Sequence, residues 1–581
     1  MIPPNRLAPD GLRSLAASAR RFPIKLSAIG VGIALAIALM QVLPEYFRLL
    51  PRSTRRTAID GFLRTLMWGH AAAWLLASAG FIAFVLLSIR EPDRRRRFAR
   101  LGLLCGSTVL ALGLGEMGGL IVSHARHRRA EPILSGNLKK GSADTLRLTV
   151  IGGSSARGYP YQPHLSIGQI LDWKLGEAMP DRKVEVDILA NGGADLEWMH
   201  RELAKLTVRP DILVIYSGHN EFQSRFAWSR TVHPRRWYAK LADYSPVHRL
   251  IVRGIDGNLL DDPSAPGPVR SPIDWPMVTP DELAKVNADF EHRLDLIGSF
   301  CRSNGVLPVW VVPPANDGGW APSRSVLPES ATEAERNEAT RLLLLAKQAD
   351  DTSEELDREL IRRWPSLAEP HFRLARKLER VGMFAEAREH DILSRELDGL
   401  RIRSSEEFRR TYREMADRHG GILIDGPGIF EAADPRGILD YDLFHDAHHP
   451  SLQGHTLLAE AIFRSLHDLG AFGLPKAASP PRIDPTDVAT HFQMDADKWK
   501  GVCRQAIDTH RWAAKNIYDS VERLNWVRRF GSAAGKIARG DRPETTGVPG
   551  LGTSTAPMAA SGRDRPNEAM PPSATIRTTP L

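Results

Sequence analysis

The stretch from Leu146 to Gly158, LRLTVIGGSSARG, limits most strongly what this chain can fold into. An alternating apolar run ends abruptly in two glycines, two serines and, after Ala156 and Arg157, a third glycine. Val150 and Ile151 are β-branched and suit a covered, pleated strand. Gly152 and Gly153 allow backbone angles and close approaches that a Cβ forbids. The stretch predicts a buried strand running into a tight turn that raises a serine, Ser154 or Ser155, at the carboxyl end of the strand. Open α/β sheets bind their ligands at such ends. An ordinary strand-to-helix turn with a serine N-cap fits the same residues. No lysine follows the glycines, so a phosphate-binding loop does not fit.

From Leu146 onward, short apolar runs alternate with helical stretches. Strands are predicted at Leu146–Ile151, Val184–Leu189, Ile212–Tyr216, Leu307–Val312 and Ile422–Ile424, with helices such as Ile167–Met179 and Leu196–Leu206 among the first of them. That alternation argues for a parallel sheet covered on both faces. The wide gap between the fourth and fifth strands marks an insertion, about 329–400, that is helical by periodicity. Leu374, Leu378, Gly382, Phe384, Ala385 and Ala387 fall where a tetratricopeptide-type helix pair places its contacts. One such pair reads as an αα-hairpin packed on the sheet and not as a peptide groove, because stacked repeats need at least ~3 units. Residues 476–540 predict a helical extension, with Trp499, Trp512, Ile517, Val521, Leu524 and Val527 as packing residues. From 541 to 581 the chain is Pro, Gly, Ser, Thr and Ala with few large apolar groups, which predicts disorder.

The first 130 residues read differently. Leu26–Leu43, Trp68–Ile89 and Leu101–Ser123 are apolar runs long enough for a hydrocarbon core of ~30 Å, which predicts about three transmembrane helices at 26–43, 68–89 and 101–123. Arginines on the N-terminal arm and between residues 90 and 100 outweigh those on the other side of a three-span arrangement. The positive-inside rule then predicts a multi-pass protein of a bacterial inner membrane with everything after Ser123 in the periplasm. The 77 basic against 69 acidic residues leave a net charge of +8, which calls for no nucleic-acid partner in a chain of 581 residues. Cys105, Cys301 and Cys503 are too far apart for a metal spacing or a disulfide framework.

The second chemical motif is Asp442–His455, DLFHDAHHPSLQGH. Asp446 and His449 stand three apart in a short loop before a helix, a spacing at which the aspartate reaches the imidazole Nδ1 and leaves Nε2 to take a proton from serine. His445, Asp446, His448, His449 and His455 are also dense enough in ligand atoms for a metal, although no other motif completes a shell. Ile212–Glu221, ILVIYSGHNE, ends a strand in an asparagine, Asn220, whose amide suits a developing oxyanion. Leu189–Asp195, LANGGAD, ends another in paired glycines that leave a backbone N–H free.

With these blocks in order, the sequence resembles the SGNH (GDSL-type) hydrolase family. GGSSARG resembles its first block, with Ser154 at the nucleophile position, by the spacing to Gly158, and Gly153 where most members carry aspartate. Gly193, with Gly192 as the alternative, matches the second block. GHNE matches the third at Gly218 and Asn220, and DAHHP the fifth at Asp446, His449 and Pro450. The insertion looks like that of a membrane-anchored bacterial subgroup with a tetratricopeptide-like hairpin. The resemblance implies a flavodoxin-like three-layer α/β/α sandwich with a parallel sheet, here preceded by the transmembrane helices and carrying the insertion.

It further implies ester hydrolysis or O-acyl transfer through an acyl-serine, with no cofactor and no metal. Ser154, Asp446 and His449 are then the catalytic residues, and Ser154, Gly193 and Asn220 form the oxyanion hole. The expected domains are a membrane region at 1–130, a hydrolase domain at 141–475, the helical extension and the tail. The expected substrates are acyl esters of envelope glycans or lipids, and the insertion offers a surface for a protein partner. A different class, a non-catalytic membrane-anchored scaffold that binds through the same fold and hairpin, stands beside the enzymatic expectation.

Overall fold

The computed structural model describes residues 69, 72–86, 102–103, 105–118, 134, 138–222, 271–274, 276, 278–348, 354–474, 482–515, 517–553 and 574–577. The chain divides into two compact units, one of Met1–His127 with Arg235–Ala265 and one of Arg128–Pro234 with Pro266–Leu581.

In the first unit, residues 72–86 and 105–118 are helical. They touch closely where Gly106 faces the Phe81 ring and Gly80 faces Cys105. Here the sequence expectation is corrected: among the described residues no helix is long and apolar enough to cross a membrane. The described stretch 105–118 carries Glu116. The run 26–43 lies outside the described residues.

The second unit is built on a sheet. Its elements are β1 Thr145–Gly152, α1 Ser154–Arg157, α2 Ile167–Ala178, β2 Lys183–Ala190, α3 Leu196–Leu203, β3 Ile212–Tyr216, α4 Pro280–Asn304 and β4 Leu307–Val312. Then come the insertion helices α5 Glu333–Gln348, α6 Glu355–Arg363, α7 Ala368–Arg380 and α8 Phe384–Glu396. After them follow α9 Glu406–His419, β5 Gly421–Asp425, α10 Gly426–Ala433, α11 Leu452–Asp468, α12 Pro485–His491, α13 Ala496–Ala514, α14 Val521–Ala538 and β6 Ala574–Arg577. The strand order is β2-β1-β3-β4-β5-β6. The first five strands are parallel, and β6 lies antiparallel on β5 with Ile576 opposite Ile422. The order 2-1-3-4-5 is that of a doubly wound sheet, whose winding reverses between β1 and β3.

Register explains both the core and the site. Val150 pairs with Val214, and Val214 with Val309, so these three share a face. Gly168 of α2 lies against Val150 and Ile188, and an added Cβ there would meet the Ile188 side chain at 2.9 Å. Ile151, Ile215 and Trp310 occupy the opposite face, because neighbours along a strand alternate. There the Trp310 ring lies 6.5 Å from that of Tyr412 on α9 and donates its Nε1–H to the Gly420 carbonyl. Helices therefore cover both faces. The same register sets Gly152 level with Ala190 on one side and Tyr216 on the other, so the residues following β1, β2 and β3 emerge along one edge.

The insertion folds as paired helices, with Gly382 at φ +80° between α7 and α8. At the C-terminal side, α13 and α14 form a second hairpin. Its buried stripe on α14 is Arg523, Trp526, Phe530, Ala533 and Ile537, while Val521 and Leu524, expected to pack, are exposed. The tail expected to be disordered from 541 is ordered at first: Pro543–Thr546 makes a 3-10 turn, and Val548 and Leu551 join the core.

Candidate active site

Two loops meet at the edge where β1, β2 and β3 end. The first follows β1. Gly152 approaches β3 so closely that a Cβ would collide with the Tyr216 carbonyl and with Ala156, which admits only glycine. The chain then turns into α1, a single helical turn that begins at Ser154 and is closed by Gly158 at φ +95°. Its main chain is tied by the Arg157 N–H donating to Gly153 O and the Tyr159 N–H donating to Ser154 O. Ser154 is thereby fixed at the first helical position, largely buried.

The second loop precedes α11, whose N-cap Ser451 accepts from the Gly454 N–H. Asp446 is fully buried, and its Oδ1 accepts the main-chain N–H groups of His448 at 3.1 Å and His449 at 3.0 Å. Its Oδ2 lies 2.7 Å from His449 Nδ1, and His449 Nε2 lies 2.7 Å from Ser154 Oγ. An ionised carboxylate only accepts, so Nδ1 carries the proton and Nε2 is free to accept from the serine hydroxyl. Burial works against the charge on Asp446, but His449 beside it, with further help from His448, holds the carboxyl well below the usual carboxylate range. The structure thus brings together Ser154, His449 and Asp446, contributed by segments almost 300 residues apart.

The remaining sequence candidates are distributed as follows. Ser155 turns away and donates its hydroxyl to the His448 carbonyl at 3.2 Å. Asn220 and the Asn191–Ala194 turn converge on Gly153. The Asn220 Nδ2 donates to Ala194 O at 3.0 Å, leaving its second amide hydrogen available. Gly193 sits in that turn at φ +73°. A Cβ at Gly153 would stand 2.5 Å from Asn220 Nδ2, so a larger residue there requires the Asn220 amide to shift. The histidines do not gather around a common point. His445 Nε2 is 2.6 Å from the Tyr161 hydroxyl, and His455 Nε2 is 3.4 Å from Tyr159 O. Burial pushes His445 and His448 down to about 3 and His455 down to about 4, so all three are neutral at neutral pH. Among the described residues, the acidic or histidine cluster with ligand-like spacing is Asp434, Asp440 and Asp442, each of which already takes Arg436 Nη2.

Several supporting residues carry no sequence signal. The Tyr159 ring lies 4.3 Å from that of His449, while its hydroxyl bonds Gln505 O at 2.6 Å and Thr509 Oγ1 at 2.7 Å on α13. His510 of α13 contacts the His445 carbonyl at 3.0 Å. Glu221, next to Asn220, accepts from the Ser217 hydroxyl at 2.8 Å and from the Leu196 N–H at 3.2 Å, joining the end of β3 to the start of α3. Burial, with Asp195 nearby, raises its carboxyl to about 8. Tyr159 follows the third glycine of the opening stretch and Glu221 follows Asn220, so adjacency is the one trace either leaves in the sequence.

Fold and site together define an α/β chain with a Ser–His–Asp constellation at the switch point of its sheet. No family model matches the chain, and no curated protein does. Among solved structures, an acetyl xylan esterase from Geobacillus stearothermophilus is similar over 59% of this chain and 99% of its own, at 13% identity and a TM-score of 0.26. At those values nothing about activity follows.

Proposed function

We propose that the chain is a serine-dependent esterase or O-acyltransferase that works through an acyl-serine intermediate, in the manner of the SGNH hydrolases its motifs resemble. The observation that carries this reading is the continuous relay from Asp446 Oδ2 to His449 to Ser154 Oγ, both links 2.7 Å, at the carboxyl ends of the central strands. Such a relay turns a weakly nucleophilic hydroxyl into an attacking group.

His449 Nε2 takes the proton as Ser154 Oγ bonds to the ester carbonyl carbon. The resulting oxyanion is held by the N–H of Ser154 at the start of α1, the N–H of Gly193 and the amide of Asn220. Collapse breaks the bond to the leaving alcohol, which receives the proton from His449. Asp446 stabilises the imidazolium throughout and is not itself protonated. Water or an acceptor hydroxyl then gives its proton to His449 and attacks the acyl-serine, and the proton returns to Ser154 as the acyl group leaves.

Hydrolysis of p-nitrophenyl acetate tests the reading. Wild-type protein is expected to turn it over, and Ser154→Ala to lose ~10⁴-fold or more. Equal rates for the two proteins would overturn the proposal.

A further inference from the structure

The Asp446–His449 turn is closed from within by the Asp446 carboxylate, yet its main-chain carbonyls need partners elsewhere. Asn316, fully buried just after β4, supplies those of Asp446 and Ala447. Its Nδ2 donates to Asp446 O at 2.9 Å, and its own N–H donates to Ala447 O at 2.9 Å. Asn316 is in turn held from the far side. Its Oδ1 accepts the Gly319 N–H at 2.7 Å, and its carbonyl accepts Nη1 of Arg403 at 3.0 Å. The same Nη1 reaches Trp320 O at 3.1 Å.

Arg403 belongs to the segment Leu397–Ser405, through which the chain leaves the helical insertion. Further contacts lead from this exit toward the site. Arg395, in the last turn of α8, pairs with Asp317 at 2.6 Å. The Ser404 N–H donates to His219 Nδ1 at 3.1 Å. The His219 ring stacks on His448 at 4.5 Å and 18°, and His448 lies 4.2 Å from His449. Arg395, Arg403, Ser404, Asn316, Asp317, His219 and His449 are all buried, so water does not substitute for these bonds.

We infer that Asn316 and Arg403 are positioning residues, through which the exit of the helical insertion sets the placement of His449 against Ser154. The inference rests on the acyl-serine reading. Neither residue touches the reacting atoms; Asn316 acts on the peptides of Asp446 and Ala447, and Arg403 acts on them through Asn316. A displacement of a catalytic group by ~1 Å costs about 10²-fold in rate, so a loosened turn is visible in the chemistry before it is visible in the fold. The insertion is then part of the catalytic scaffold and not a bystander.

The test is the pseudo-first-order rate constant for labelling of the full chain by a fluorophosphonate. Loss of folded protein lowers the labelled fraction but leaves that constant unchanged, whereas a displaced base lowers the constant itself. Asn316→Ala removes the bond to Asp446 O and keeps the main-chain bond to Ala447. Arg403→Lys keeps the charge and loses the shared contact to Asn316 O and Trp320 O. Both are expected to lower the constant ten- to a hundredfold while most of the protein still labels. Arg358→Ala, at a half-exposed ion pair with Glu354 and Glu386 inside the insertion, is expected to leave it within twofold.

A constant within twofold of wild type in Arg403→Lys, or a loss confined to the labelled fraction, would overturn the inference, even if Asn316→Ala fails to fold. An equal fall in Arg358→Ala would overturn it as well. Absence of label on wild-type protein would sink the acyl-serine reading itself, and is distinguishable from these results because no variant is needed to see it.

Discussion

The two loops that meet at the site are held by different physical means. The nucleophile turn, Gly152–Gly158, is shaped by the chain's own backbone: a glycine pressed against β3, one helical turn, and a closing glycine at positive φ. The acid–base loop, His445–Pro450, is held by side chains from distant segments, Asn316 after β4, Tyr159 after Gly158 and His510 on α13. The first kind of support is local and steric, the second long-range and polar. Damage to the first should therefore act through fit, and damage to the second through loss of alignment.

The largest expected effect falls on the acid–base loop. Asp446→Asn preserves shape but removes the carboxylate that fixes the His449 tautomer, and turnover of p-nitrophenyl acetate should fall ~10⁴-fold. A loss under tenfold would mean that the loop does not depend on this relay. Next comes Asn220→Ala, expected to cost about 10²- to 10³-fold in kcat as an oxyanion donor is lost. The nucleophile turn supplies the companion change. Gly153→Asp installs the residue common in the resembled family, yet its Cβ would stand 2.5 Å from Asn220 Nδ2. It should lose activity comparably, and a gain would show that the Asn220 amide shifts without loss.

A smaller effect concerns pH. Glu221 sits at about 8 in the folded chain against an ordinary 4.5, so between those values the native state binds more protons than the unfolded state. Glu221 should accordingly contribute a decline in stability as pH rises from about 4.5 to about 8, opposed below about 6.5 by the buried neutral His445, His448 and His455. Glu221→Gln should flatten, without abolishing, that part of a plot of Tm against pH, since burial raises Asp195 as well. An unchanged slope would contradict the assignment. The smallest expected effect is that of Tyr159→Phe, which keeps the ring on His449 and releases the hydroxyl from Gln505 and Thr509. A loss of about 1 kcal/mol in chemical denaturation is expected, and no loss would mean that α13 does not support the loop through this bond.

What was legible in the sequence follows the same division. The five parallel strands are marked by apolar alternation and by glycines at their ends, and α7, Gly382 and α8 by helical spacing around a turn. Ser154, Asp446, His449 and Asn220 stand in short motifs whose chemistry is written in adjacent residues. Arg403 and Tyr159 act across gaps that no spacing rule spans: Arg403 lies 87 residues from the carbonyl it holds.

Helix phase was also ambiguous. On α14 two apolar stripes overlap, and packing against Tyr441 and His510 selects the one with Trp526 and Phe530, leaving Val521 and Leu524 outside. Hydropathy predicted spans at 68–89 and 101–123, whereas among the described residues no helix is long and apolar enough to cross a membrane. Composition in turn under-read the tail, where Val548 and Leu551 suffice to anchor a turn on the core.

The account turns on whether Ser154 is the residue that becomes acylated. Treatment of wild-type protein and Ser154→Ala with a fluorophosphonate, followed by peptide mapping of the adduct, measures this directly. The predicted result is a single modified peptide carrying the label on Ser154, absent from the variant. No adduct on wild type, an adduct on Ser155, or one that persists in Ser154→Ala would contradict it.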